Sequence, residues 1–166
     1  MRIRTLVITG ILLALITAPA FAELPNYSLF TKYLIDLKGW DSGEPTGMNM
    51  NGPMGEMASA NRQYTRNDMS LNAQILAGNA AQMAWGPFMM GVTIDSSEEL
   101  VKTTEHKGYK EGIIYSKKDK SGSIMVPFVG TSIPAAFILE YENMNYETAL
   151  EIAEQFPWKD IEKVFK

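Results

Sequence analysis

The sequence of 166 residues contains no cysteine and a single histidine, His106. Without cysteine the chain has neither disulfides nor a thiolate for a zinc site. One histidine cannot supply the several nitrogen ligands of an ordinary zinc or copper site, and no G-x-S-x-G motif suggests a serine hydrolase. We interpret His106 as an exposed residue at a strand end. These absences argue against an enzyme and predict no catalytic residue.

Charge is also scarce, since charged residues make up 20% of the chain and the net charge at pH 7 is -4. Domains that bind nucleic acid are typically basic, so nucleic acid is excluded as a partner. Apolar residues account for 46% of the chain, which is enough for a hydrophobic core. The length fits one domain with such a core.

The first 22 residues have the three parts of a secretory signal peptide. They begin with two arginines, continue with an apolar run over 6–18, and end in a pattern with small residues at Ala20 and Ala22. The run is shorter than the roughly 20 residues of a membrane-spanning helix, although an uncleaved anchor remains the alternative. We therefore expect a periplasmic or secreted protein, residues 23–166, with no stable membrane span after cleavage.

The hydrophobic patterns predict an α+β fold. Apolar residues spaced by three and four predict a helix over 27–37, whereas glycines and prolines predict a long irregular loop over 39–57. Residues 79–90 predict a short helix that Gly86 and Pro87 end in a buried bend. Alternating apolar residues predict about five or six strands, beginning near Met57 and continuing over 69–77, 101–105, 109–116, 123–128 and 137–142.

The C-terminal residues predict a pair of helices. Asn145 is a typical N-cap, Glu147 lies in the first turn, and Pro157 begins a second helix. Helices of this kind cover one face of a sheet in α+β domains. The sequence therefore predicts one domain over 23–166. It contains an antiparallel sheet covered by an N-terminal helix and a C-terminal helix pair.

The segments KGYKEGIIYSKKDKSGSIMV (107–126) and AAFILEYENMNYETALEIAEQFPWKDIEKV (135–164) have a recognisable pattern. A hairpin with a charged tip is followed by a final strand and by a helix that breaks at a proline. This pattern resembles small exported proteins of Gram-negative bacteria, most of which have no assigned function. The resemblance implies a sheet covered by a terminal helix. It implies no activity and assigns no functional residue.

Four methionines, Met48, Met50, Met54 and Met57, lie within ten residues of the glycine-rich segment 39–57. Thioethers are soft ligands that suit Cu(I), and a loop could bring several of them around one ion. The same side chains could instead pack as adaptable apolar residues, form a contact surface, or react with oxidants. The packing or contact interpretation is favoured, because His106 is far from these methionines in sequence.

Aromatic residues and further methionines suggest a second contact region. Trp40, Trp85 and Phe88, together with Met89 and Met90, could line an apolar groove, or they could belong to the core. The leading hypothesis is a non-enzymatic binding domain without a cofactor, whose partner is another protein or an apolar ligand. The alternative is a periplasmic protein that binds Cu(I) through the methionine-rich segment.

Overall fold

The computed structural model describes residues 23–53 and 55–166, so the predicted signal peptide and Met54 lie outside the described residues. Four helices are present in this part of the chain: α1 (Ser28–Thr31), α2 (Asn79–Met89), α3 (Tyr146–Ala153) and α4 (Trp158–Lys163). Nine strands accompany them: β1 (Asp41–Ser42), β2 (Thr46–Gly52), β3 (Gly55–Arg66), β4 (Met69–Gly78), β5 (Ile94–Asp95), β6 (Glu99–His106), β7 (Tyr109–Ser116), β8 (Ser121–Phe128) and β9 (Ala135–Glu142).

The strands form one antiparallel sheet in the order β1-β3-β4-β9-β8-β7-β6-β5, and β2 pairs with β3 on the same side as β1. The last strand, β9, therefore lies at the centre between β4 and β8. An α+β antiparallel architecture is confirmed. The predicted number of strands is wrong, because β1, β2 and β5 are additional and all lie at the edges of the sheet.

Helices cover both faces of the sheet. Side chains of a strand alternate between faces, so Ile75 points to one face and Leu76 to the other. The first face packs against α1, α3 and α4 around Ile75, Phe137 and Leu139. The second packs against α2 around Leu76 and Ile138. The prediction that helices cover one face is therefore incomplete.

The predicted N-terminal helix over 27–37 is mostly wrong, because α1 contains four residues. The apolar residues that suggested it are nevertheless buried, including Leu34 and Leu37. Two side chains of β3 form hydrogen bonds with the backbone of the segment that follows α1. Arg62 Nη1 donates to the Leu34 carbonyl at 2.7 Å and Tyr64 Oη donates to the Ile35 carbonyl at 2.9 Å. These bonds occupy carbonyls that a continuing helix would use.

The predicted loop over 39–57 is wrong, because β1, β2 and the start of β3 occupy most of it. Strand β2 pairs with β3 in an unbroken register from Thr46 opposite Asn61 to Gly52 opposite Gly55. Glycine is needed at one position of this ladder, since a side chain at Gly47 would overlap the Tyr27 ring and the Ser59 carbonyl. The glycine that suggested a loop therefore allows Tyr27 to pack on the strand.

The bend predicted within 79–90 is also wrong, because α2 runs without a break through Gly86 and Pro87. Proline has no N–H for the helical bond, which usually kinks a helix. Here the residue that follows anchors the helix to the sheet. Phe88 is buried over Gly112, where an added Cβ would lie 2.7 Å from the ring. Tertiary packing therefore outweighs the local signal.

The remaining strands and the C-terminal helices agree closely with the predictions. Strand β7 has the predicted bounds, and Asn67 takes the positive φ of 57° that a tight β3–β4 turn requires. The side chain of Asn145 caps α3, because its Oδ1 accepts a hydrogen bond from the Thr148 N–H at 2.9 Å. Helix α4 follows Pro157 as predicted.

Candidate contact surface and buried carboxyl group

Three of the four predicted metal-binding methionines lie on one face of the β2–β3 hairpin. Met50 stands directly opposite Met57, and Met48 lies two residues along β2 and therefore on the same face. Side chains directly opposite in an antiparallel pair have Cβ atoms about 5 Å apart, and diagonal neighbours are about 7–8 Å apart. Flexible thioether side chains can span these distances. The fourth predicted ligand, Met54, lies outside the described residues.

The hairpin methionines share a face of the sheet with helix α2. Met48 pairs with Ser59, and Ser59 pairs with Leu76, which packs under α2. Residues directly opposite one another lie on the same face, so Met48 and α2 are on the same side. The fold therefore places the two methionine-rich segments on one side of the protein.

Helix α2 buries one side and exposes the other. Ala81 and Phe88 are buried against the sheet, and Trp85 is partly buried with its ring 5.0 Å from that of Phe88. Met89 is 73% exposed and Met90 is 80% exposed. Phe88 is therefore a core residue, whereas Met89 and Met90 are available for contact.

We define the methionine face as the five methionines of β2, α2 and the residue after it that are between 52% and 80% exposed. They are Met48, Met50, Met83, Met89 and Met90. Exposed apolar side chains are ordinary when they are scattered, but several on one side mark contact sites. The sequence contains no charged residue between Asp68 and Asp95, so α2 contributes no charge to this face.

Trp40 lies away from the methionine face. It packs against the core cluster on the α1, α3 and α4 side, and the Arg66 guanidinium lies 4.5 Å from its ring centre. Trp85 and Phe88 belong to the cluster on the opposite side of the sheet. The structure thus brings Trp85 and Phe88 together, whereas Trp40, the third aromatic residue suggested for the groove, lies on the other side of the sheet.

A buried carboxyl group, which sequence reasoning missed, lies on the face covered by the C-terminal helices. Glu111 is completely buried, and neither carboxyl oxygen has a hydrogen-bond partner among the described residues. Glu111 immediately precedes Gly112, whose pairing with Met125 is the last pair of the β7–β8 ladder at this end, and Pro127 has no N–H with which to extend the ladder. Pro127, a proline inside a predicted strand, is the sequence signal that the β7–β8 ladder ends near Glu111.

Burial raises the pKa of the Glu111 carboxyl, and the nearby Glu154 carboxylate raises it further. His106 and Lys107 act in the opposite direction. His106 Nε2 lies 3.3 Å from Glu154 Oε2, and its side chain is 42% exposed at the end of β6. His106 therefore lies at a strand end as predicted, but it is only partly exposed, because its Nε2 is buried.

The second face also carries an open polar cleft of about 740 Å³ beyond the part covered by α2. Glu140 and Glu142 project into solvent from β9. Asn72 Nδ2 donates to Glu140 at 2.9 Å, and Ser70 Oγ donates to Glu142 at 3.0 Å. Each carboxylate thus accepts a hydrogen bond from a neutral side chain of β4, so both glutamates have a structural role in joining β4 to β9.

Within residues 23–53 and 55–166, no three acidic or histidine side chains are grouped closely enough to hold a metal ion. None of the helices in the same part of the chain has the length and apolar character to cross a bilayer. The arrangement therefore offers a hydrophobic contact surface and a cluster of thioethers, and no conventional metal centre among the described residues. Comparisons with known proteins found no matching family model, no matching curated protein and no matching solved structure.

Proposed function

We propose that the protein is a non-enzymatic, exported binding domain that contacts another protein through its methionine face. The exposure of five methionines on one side carries this proposal. Methionine is flexible and polarizable, and such side chains adapt to differently shaped partners. Because α2 contributes no charge, the apolar contact avoids the cost of removing charged groups from water.

Photo-crosslinking tests this proposal. A photoreactive benzoylphenylalanine at position 89 should give discrete crosslinked products in an extract of periplasmic proteins. The same residue at position 129 is a matched control, because Met89 and Val129 are both 73% exposed. We expect Met83→Glu with Met90→Glu to lower the yield from position 89 at least tenfold, since burying each methionine is worth about 1.5–3 kcal/mol. Equal products from positions 89 and 129 would contradict the proposal.

A second candidate function is Cu(I) binding, and the shared face of Met48, Met50 and Met57 favours it. Three thioethers form a soft ligand set that suits Cu(I). The β2–β3 ladder holds two of these side chains directly opposite each other, so part of the geometry exists before the ion binds. In this proposal the bound ion is Cu(I), and its ligands are the thioethers of Met48, Met50, Met57 and Met54.

An anaerobic Cu(I) titration against a competing chelator tests the second candidate. We expect one ion per chain, and we expect binding to be lost when Met48, Met50, Met54 and Met57 are all changed to leucine. The control variant carries leucine at the exposed methionines of the α2 region, Met83, Met89 and Met90, and should bind like the unchanged protein. Absence of binding, or equal loss in both variants, would exclude a hairpin site.

A further inference from the structure

The two edges of the sheet differ in how they are protected. Strand β5 contains two residues, and the Lys117 ammonium lies 2.6 Å from the Asp95 carboxylate there. Short edge strands and charged side chains are devices that prevent pairing with another chain. The β5 edge is therefore short and charged, which disfavours strand addition.

The opposite edge has no such protection along β2. Its seven residues, TGMNMNG, contain no charged residue and no proline, and their register against β3 has no bulge. Among the described residues, β2 pairs with β3 alone, so its outer backbone groups have no strand partner. An uncharged edge strand of this kind is a template for another strand.

The N-terminal segment holds β2 in place from one side. Asn49 Oδ1 accepts a hydrogen bond from the Tyr27 N–H at 2.9 Å, and Asn49 Nδ2 donates to the Pro25 carbonyl at 3.2 Å. Met48 and Met50 project from the other side and are 52% and 53% exposed. The strand is thus ordered before it meets a partner, which lowers the entropic cost of association.

We propose that β2 pairs antiparallel with β2 of a second copy of this chain, about a two-fold axis at Asn49. The sequence around Asn49 is Met-Asn-Met, so this register places Met48 opposite Met50 of the second copy and Met50 opposite Met48 of the second copy. Directly opposite residues lie on the same face, so the four methionines form one cluster. A two-fold interface requires self-complementarity of this kind.

The pairing joins the two sheets and covers two of the five methionines of each methionine face. The interface is small, because it consists of one strand of seven residues from each copy. Interfaces of this size are typical of weak, transient association. We therefore expect a reversible dimer whose population rises with protein concentration. This inference does not depend on the partner protein or on copper.

Sedimentation velocity tests the dimer with the chain from Glu23 to Lys166, which contains all the strands and helices described above. A metal chelator is present, and the concentration extends from about 1 to 500 μM, a range that covers weak association. We expect a reversible shift from monomer to dimer. A protein that remains monomeric over the whole range would overturn the proposal.

Paired charge substitutions test the register. Met48→Lys with Met50→Lys places like charges opposite each other across the axis, so the dimer should be weakened at least tenfold. Met48→Lys with Met50→Glu places opposite charges there, so association should recover. Both positions are half exposed in the single chain, and circular dichroism checks that each variant folds. Equal association of the two variants would overturn the proposed register.

Discussion

Replacing Gly122 with alanine is expected to lower the free energy of unfolding by about 3 kcal/mol, because the neighbouring strands leave no space for the methyl group. The added Cβ would overlap the carbonyl oxygen of Ile114 and lie 2.7 Å from the Tyr141 hydroxyl. Tyr141 Oη donates to that same carbonyl at 3.1 Å. The methyl group would therefore separate β7 from β8 and break a partly buried hydrogen bond.

Urea unfolding followed by circular dichroism measures this effect. Gly52→Ala is the matched control, since no atom lies within 4 Å of the position its Cβ would take and its backbone has no positive φ. The control should change the free energy of unfolding by less than about 1 kcal/mol. Similar midpoints for the two variants would show that the strands β7 and β8 are not packed as described.

Replacing Glu111 with glutamine is expected to stabilise the protein near pH 8, because glutamine cannot ionise and so avoids placing a charge in the buried site. Leaving a buried group without a partner costs about 1–3 kcal/mol and more when the group is charged, so we expect a gain of about 1–3 kcal/mol. Glu111 is completely buried without a hydrogen-bond partner, and burial raises its pKa. Its protonated form is therefore favoured in the folded state. The wild-type protein should lose stability as the pH rises from the ordinary pKa of a glutamic acid through this raised value.

The glutamine variant lacks this loss, so the difference between the two proteins should be close to zero near pH 4 and reach its full size above the raised pKa. Urea midpoints from about pH 4 to 8 measure the difference, since this interval begins just below the ordinary glutamic acid pKa of about 4.3 and extends well above it. Glu99→Gln, at an exposed position of β6, is the control and should show no such trend. A constant difference between Glu111→Gln and wild type at every pH would contradict this account.

The strands that were predicted correctly have residue patterns within their own sequence that indicate a strand. Strand β4 alternates apolar and polar residues, and β7 ends at turns on both sides, so local patterns are sufficient there. Strand β2 has no such signal, because TGMNMNG is poor in the β-branched and aromatic residues that favour strands. Its conformation depends on pairing with β3, which lies later in the chain.

The same dependence on distant residues limited the prediction of the candidate surface. The sequence identified Met48, Met50 and Met57 as a group, but their shared face follows from the β2–β3 register. Trp40 and Trp85 were grouped by residue type, whereas the sheet separates them. Glu111 was missed because its burial results from α3, α4 and the end of the β7–β8 ladder, and none of these is visible at its own position.

The central position of β9 has a consequence for the order of folding. Ser70 on β4 bonds to Glu142 on β9, 72 residues later, so β4 acquires its second neighbour after nearly the whole chain is available. Until then the edge of β4 is open, and its ten residues carry no charge. Contacts between residues so distant in sequence form slowly. The joining of β9 to β4 is therefore expected to limit the folding rate, and until it occurs the uncharged edge of β4 is open to association with other chains.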